Sequence, residues 1–102
     1  MKKTVSIVLE EETIRAIKVE CARREWSLGE FYEEAMRGII RRLEELKRKD
    51  EGIRLREMPD QLHCTSIWVD SELANRVDEA KSVGLVKRAV YYTAIHDYLE
   101  KI

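Results

Sequence analysis

The sequence predicts a mainly α-helical domain carrying a small antiparallel β-ribbon, with one strand-helix-helix unit written twice in a single chain. Three observations predict it. The stretch Thr4-Val5-Ser6-Ile7-Val8-Leu9 alternates polar and apolar with the period of a half-buried strand, in a chain otherwise rich in Glu, Lys, Arg, Leu and Ala. The alternation returns sixty positions later, where Thr65-Ser66-Ile67-Trp68-Val69-Asp70 repeats the Ser, the Ile and the closing acid of Val5-Ser6-Ile7-Val8-Leu9-Glu10. An apolar helical stripe then recurs at an offset of fifty-nine. A lone strand cannot satisfy its own backbone hydrogen bonds, so each copy supplies the other's partner.

The elements follow in order. The first strand leads into Ile14, Ile17 and Cys21 at helical spacing, and the second into Leu73, Val77 and Ala80. Both helices break at turns, Trp26-Ser27-Leu28-Gly29 and Val83-Gly84-Leu85, where glycine supplies a positive φ at a helix end. Ser27 with Glu30 three residues on is a capping box, and Asp70 is an N-cap for the helix through Leu73 and Val77. In the second helices Phe31, Tyr32, Ala35, Met36, Ile39 and Ile40 fall opposite Val90, Tyr91, Ala94, Ile95, Tyr98 and Leu99. The offset shortens by one, so one residue is lost in the first helix or its turn. Arg41-Arg42 and Lys47-Arg48-Lys49 read as solvated helix ends, and the acidic pairs Glu11-Glu12 and Glu33-Glu34 as helix surface.

The copies occupy residues 1–48 and 62–102, joined by a linker, residues 49–61, that holds Gly52 and the only proline, Pro59. Residues 53–58 alternate, which predicts an additional short strand in the linker. A unit of roughly 45 residues is near the lower limit for independent folding. Two units fold together when their strands pair antiparallel and their four helices bury the duplicated stripe.

Composition narrows the function. With 102 residues the chain has room for one core of modest size, and no apolar run approaches the ~20 residues of a membrane span. The N-terminus lacks the pattern of a signal peptide, so a soluble cytoplasmic protein with no membrane partner is expected. Cys21 and Cys64 have no metal-ligand or disulfide spacing, and no cofactor or metal is expected. Charged residues make up 38% of the chain and side-chain amides are nearly absent, a bias that fits a hot environment. A net charge of −1 argues against indiscriminate binding of polyanions, so any nucleic-acid contact requires a local patch. An enzyme is not expected: there is no Gly-rich phosphate loop and no nucleophile motif, and only His63 and His96 are present to serve as a general base.

Lys2-Lys3-Thr4-Val5-Ser6-Ile7-Val8-Leu9, followed by a helix, a turn and Ser27-Leu28-Gly29-Glu30-Phe31-Tyr32, resembles the ribbon-helix-helix repressors, the family that includes Arc and MetJ. Val69-Asp70-Ser71-Glu72-Leu73 and Gly84-Leu85-Val86-Lys87-Arg88-Ala89-Val90 resemble the same pattern. The family works as a dimer of one-motif chains, so the resemblance implies an intramolecular pseudo-dimer. It implies a sequence-specific regulator of transcription whose partner is double-stranded DNA, with the ribbon in the major groove and self-association along DNA open to it. Proteins of this kind and size are frequent in archaeal viruses and plasmids.

Carried over by position, Val5, Ile7 and Leu9 with Thr65, Ile67 and Val69 face the core. Thr4, Ser6 and Val8 with Cys64, Ser66 and Trp68 face base edges. Phosphates are expected at the backbone of Leu28 and Gly29 and of Lys87 and Arg88, with Lys2 and Lys3 adding charge. The outward face departs from the family, which commonly places Arg, Lys, Asn, Gln or Thr there. Val8, Cys64 and Trp68 make no bidentate base contact. Glu30 opposes a phosphate where Lys87 and Arg88 favour one, so the second copy is expected to grip DNA harder. For Trp68 there are two expectations: residues 53–58 lie beside the ribbon and cover it, or it turns inward at a distorted strand end.

The rival reading is a protein-interaction module on the same fold. Antitoxins of the family carry a segment beyond the second helix, whereas here Ile102 falls within or just after that helix. Steeply salt-dependent duplex binding separates the two readings.

Overall fold

The computed structural model describes residues 1–49 and 52–102; Asp50 and Glu51, within the expected linker, lie outside the described residues. Strand β1 (Lys2–Leu9) leads into α1 (Glu11–Arg24) and α2 (Leu28–Arg48). Strand β2 (His63–Asp70) leads into α3 (Ser71–Asp78), a short 3-10 helix (Glu79–Val83) and α4 (Lys87–Lys101). The protein is thus mostly helical with one two-stranded antiparallel sheet.

The register sets Ser6 opposite Ser66, with Thr4 opposite Trp68, Val5 opposite Ile67 and Val8 opposite Cys64. Alternation does the rest. Val5, Ile7, Leu9, Ile67 and Val69 are buried against the helices, and Thr65 is half-buried. The duplicated stripe fills the core from α2 and α4: all six residues of the first copy are buried, as are Val90, Tyr91, Ala94 and Ile95, while Tyr98 and Leu99 pack at its edge. Burying each large apolar side chain stabilises the fold by ~1.5–3 kcal/mol relative to exposure, which neither half achieves alone.

The caps form as the sequence indicates. Ser27 Oγ accepts from Glu30 N at 3.2 Å while Glu30 Oε2 accepts from Ser27 N at 3.0 Å, and Asp70 Oδ2 accepts from Leu73 N at 3.2 Å. The lost residue has a visible origin. After α3 the second copy tightens into the 3-10 helix, whose larger rise per residue spans the distance with fewer residues.

Four expectations are corrected. Residues 53–58 form no strand; their alternation packs Ile53, Leu55 and Met58 on the core, and Arg56 N donates to Thr93 Oγ1 of α4 at 2.9 Å. Because residues 53–58 lie along α4, they do not cover Trp68, which is 58% exposed, nor does that side chain turn inward. In the first copy the left-handed residue ending α1 is Glu25 (φ 58°), not a glycine, whereas Gly84 (φ 83°) plays that part in the second. Glu33 is not helix surface: it is buried, and its Oε2 accepts from Asp70 N at 2.7 Å.

Candidate nucleic-acid interface

Antiparallel pairing turns six side chains to one side of the ribbon. Thr4, Ser6, Cys64, Ser66 and Trp68 are exposed, and Val8 is half-buried. The pair at the middle is Ser6 and Ser66, two small hydroxyls that both donate and accept. Toward one end Thr4 meets Trp68, and toward the other Val8 meets Cys64. The hydrogen-bonding groups therefore cluster at the centre and at Thr4.

Each ribbon end is tied to a second helix. Glu33 on α2 takes the Asp70 amide and lies 3.4 Å from Lys2 Nζ. The position fifty-nine later is Tyr92, whose hydroxyl donates to Glu10 Oε2 at 2.7 Å, while His96 Nε2 lies 3.0 Å from Glu10 Oε1. Burial works to raise the Glu10 pKa, but Tyr92, its own backbone and His96 outweigh it and hold the carboxyl below its usual range. Tyr92, partly desolvated and beside this carboxylate, is pushed up to about 12. The same place in each copy fastens the ribbon by different chemistry.

The start of α2 presses against the ribbon. A Cβ on Gly29 would sit 3.0 Å from Trp68 O and 3.7 Å from Lys2 Nζ, so glycine permits this approach. The capping box satisfies the amides of Ser27 and Glu30, which leaves those of Leu28 and Gly29 as open donors. Leu28 is exposed beside them.

The start of α4 differs in capping and charge. Val86 is the N-cap and provides no side-chain acceptor, so the first amides of Lys87 and Arg88 lack a cap. Arg88 is exposed and makes no ion pair among the described residues. Lys87 Nζ lies 2.9 Å from Asp78 Oδ1, and Lys3 Nζ lies 3.5 Å from Asp78 Oδ2 and 3.1 Å from Asn75 Oδ1. Burial works to raise the Asp78 pKa, yet Lys87 and Lys3 outweigh it and hold the carboxyl below its usual range. Sequence reasoning missed this network and the Glu33 tether. The signal for Glu33 was its place beside the apolar Tyr32 and Met36 stripe; for Asp78 no short-range signal exists, because its partners come from β1 and α4.

The structure thus brings Lys2, Leu28, Gly29 and Trp68 together at one corner. Lys3 and Lys87 are engaged at the Asp78 network, and Arg88 stands free on the α4 start. Among the described residues no group of three or more His, Cys, Asp or Glu is placed to hold a metal ion, and no helix is long and apolar enough to cross a membrane. No family model matches the chain, and neither a curated protein nor a solved structure matches it.

Proposed function

We propose that this chain is a sequence-specific DNA-binding regulator of transcription, in which two ribbon-helix-helix motifs form a pseudo-dimer within one polypeptide. One observation carries the reading: a two-stranded antiparallel ribbon centred on Ser6 and Ser66, buried on one face and exposed on the other. A ribbon of two strands fits the major groove, which is about 12 Å wide. The serines and Thr4 then hydrogen-bond base edges, and Trp68 and Val8 offer apolar cover to thymine methyls. The open amides of Leu28, Gly29, Lys87 and Arg88 receive phosphates, as helix N-termini do.

Serine hydroxyls discriminate bases loosely, so much of the preference comes from groove shape and deformability. The uncapped, cationic start of α4 holds the backbone harder than the start of α2, where Glu30 folds over the cap. Selecting bound duplexes from a random pool and titrating them across a range of salt concentrations tests the reading. An enriched motif with a steep fall of affinity supports it. Absence of any duplex binding at low salt leaves the second reading, a protein-interaction module, which the exposed Trp68 favours.

A further inference from the structure

Residues 53–58 lie on α4 as a strap. Ile53, Leu55 and Met58 pack on the core, Arg56 N donates to Thr93 Oγ1, and the Arg56 guanidinium bonds Asp97 Oδ1 at 2.8 Å and Glu100 Oε2 at 2.6 Å. Under it Thr93 is 1% exposed. Helices α2 and α4 begin at Leu28 and Lys87, fifty-nine positions apart, so Thr93, Asp97 and Glu100 have counterparts in Glu34, Gly38 and Arg41.

Those three counterparts line an open groove whose walls come from α2 and α4 alone, with Ala35, Ile39 and Tyr98 beside them. The Glu34 side chain is 43% exposed, and a Cβ at Gly38 would meet nothing within 4 Å. One helix face carries a strap, and its duplicate is bare.

The charges are reversed between the two faces. On the covered face two carboxylates clasp an arginine. In the groove Glu34 pairs with Arg37 at 2.6 Å, and Asp97 is held by Arg42 and Arg56. Arg41 Nε reaches only the Arg37 carbonyl, at 3.4 Å, and neither Arg41 nor Lys101 makes an ion pair among the described residues. The unbalanced charge is positive.

We propose that the groove docks an extended acidic peptide segment of a partner protein, laid on α2 as the strap is laid on α4. Glu34 accepts a peptide N–H in the place of Thr93. Gly38 leaves room where the Asp97 side chain stands, and Arg41 clasps a peptide carboxylate in the place of Glu100. Apolar residues two or three positions to either side rest on Ala35, Ile39 and Tyr98. An arginine–carboxylate pair adds geometric specificity to such a contact, and arginines are a recurring means of recognising acidic motifs.

The probe is a fluorescein-labelled synthetic peptide of residues 52–59 carrying Arg56→Glu, titrated against the full chain by fluorescence anisotropy. Saturable binding tighter than about 1 mM is expected, with the unsubstituted peptide binding at least about tenfold more weakly. Arg41→Glu should invert that preference, because the exposed site then matches the strap's own arginine, and Gly38→Gln should weaken both peptides by filling open space. Arg41 is exposed and the space at Gly38 is open, so neither change disturbs the core. The proposal is overturned if the acidic peptide does not bind, or if Arg41→Glu leaves its affinity unchanged. Competition by a short DNA duplex would assign the groove to DNA phosphates, and a sedimenting dimer abolished by Arg41→Glu would assign it to a second copy; either result also overturns it.

Discussion

At the scale of single residues, two glycines of α2 show how the same amino acid serves opposite ends. Gly29 is required by the Trp68 carbonyl 3.0 Å from where its Cβ would lie, and a backbone atom gives way poorly. Gly29→Ala is expected to cost about 1 kcal/mol in urea unfolding, through crowding at the ribbon. Gly38 meets nothing, so Gly38→Ala is expected to stabilise by about 0.5–1 kcal/mol through helix propensity. Equal effects from the two changes would contradict the close approach of helix and strand at Gly29. A second contrast lies at the start of α4. Lys87 already has Asp78 as partner, whereas Arg88 is free to meet a phosphate. If the chain binds DNA as proposed, Arg88→Ala should lower the slope of log affinity against log salt by about one for every duplex tested, and Lys87→Ala should change it less.

At the scale of elements, the strap and the Asp78 network fasten helices to parts distant in sequence. Thr93→Val keeps the shape of the side chain but strands the Arg56 amide, and a loss of about 1–3 kcal/mol is expected, with Thr93→Ser near wild type. Chemical denaturation of the three proteins measures it. Asp78 joins α3 to β1 and α4 through Lys3 and Lys87, and its folded pKa is lowered. A lowered folded value means that its stabilisation is complete above the unfolded carboxylate pKa, about 4, and is lost as pH falls through the folded value. The melting-temperature gap between wild type and Asp78→Asn should therefore hold constant from neutral pH to about pH 5 and close below about pH 4. A gap that widens in acid would show that Asp78 is not held as an anion.

At the scale of the whole molecule, near-symmetry is the central property. The ribbon pairs Ser6 with Ser66, but Thr4 faces Trp68 and Val8 faces Cys64, so the halves present different groups. If the ribbon reads DNA as proposed, selected sites should share a central element and diverge at the flanks, since operator symmetry mirrors protein symmetry. Perfect inverted repeats, with Ser6→Ala and Ser66→Ala weakening both half-sites equally, would mean that identical copies pair between chains.

Local pattern and the internal repeat account for the two paired strands and the helix starts. Alternation placed both strands, duplication gave them to each other, Ser27 with Glu30 and Asp70 marked helix starts, and the two stripes named the core; all of these are signals of local periodicity and capping. Packing in three dimensions settled what alternation leaves open. The periodicity of residues 53–58 is equally satisfied by a strand and by a strap on α4, and only the place of Thr93 and of the core apolar groups selected the strap. The burial of Glu33, the engagement of Lys3 and Lys87 by Asp78 and the exposure of Trp68 likewise depend on which distant elements meet. A charged side chain's partner is set by distance in space, and the sequence encodes that distance only through the completed packing of the helices on the ribbon.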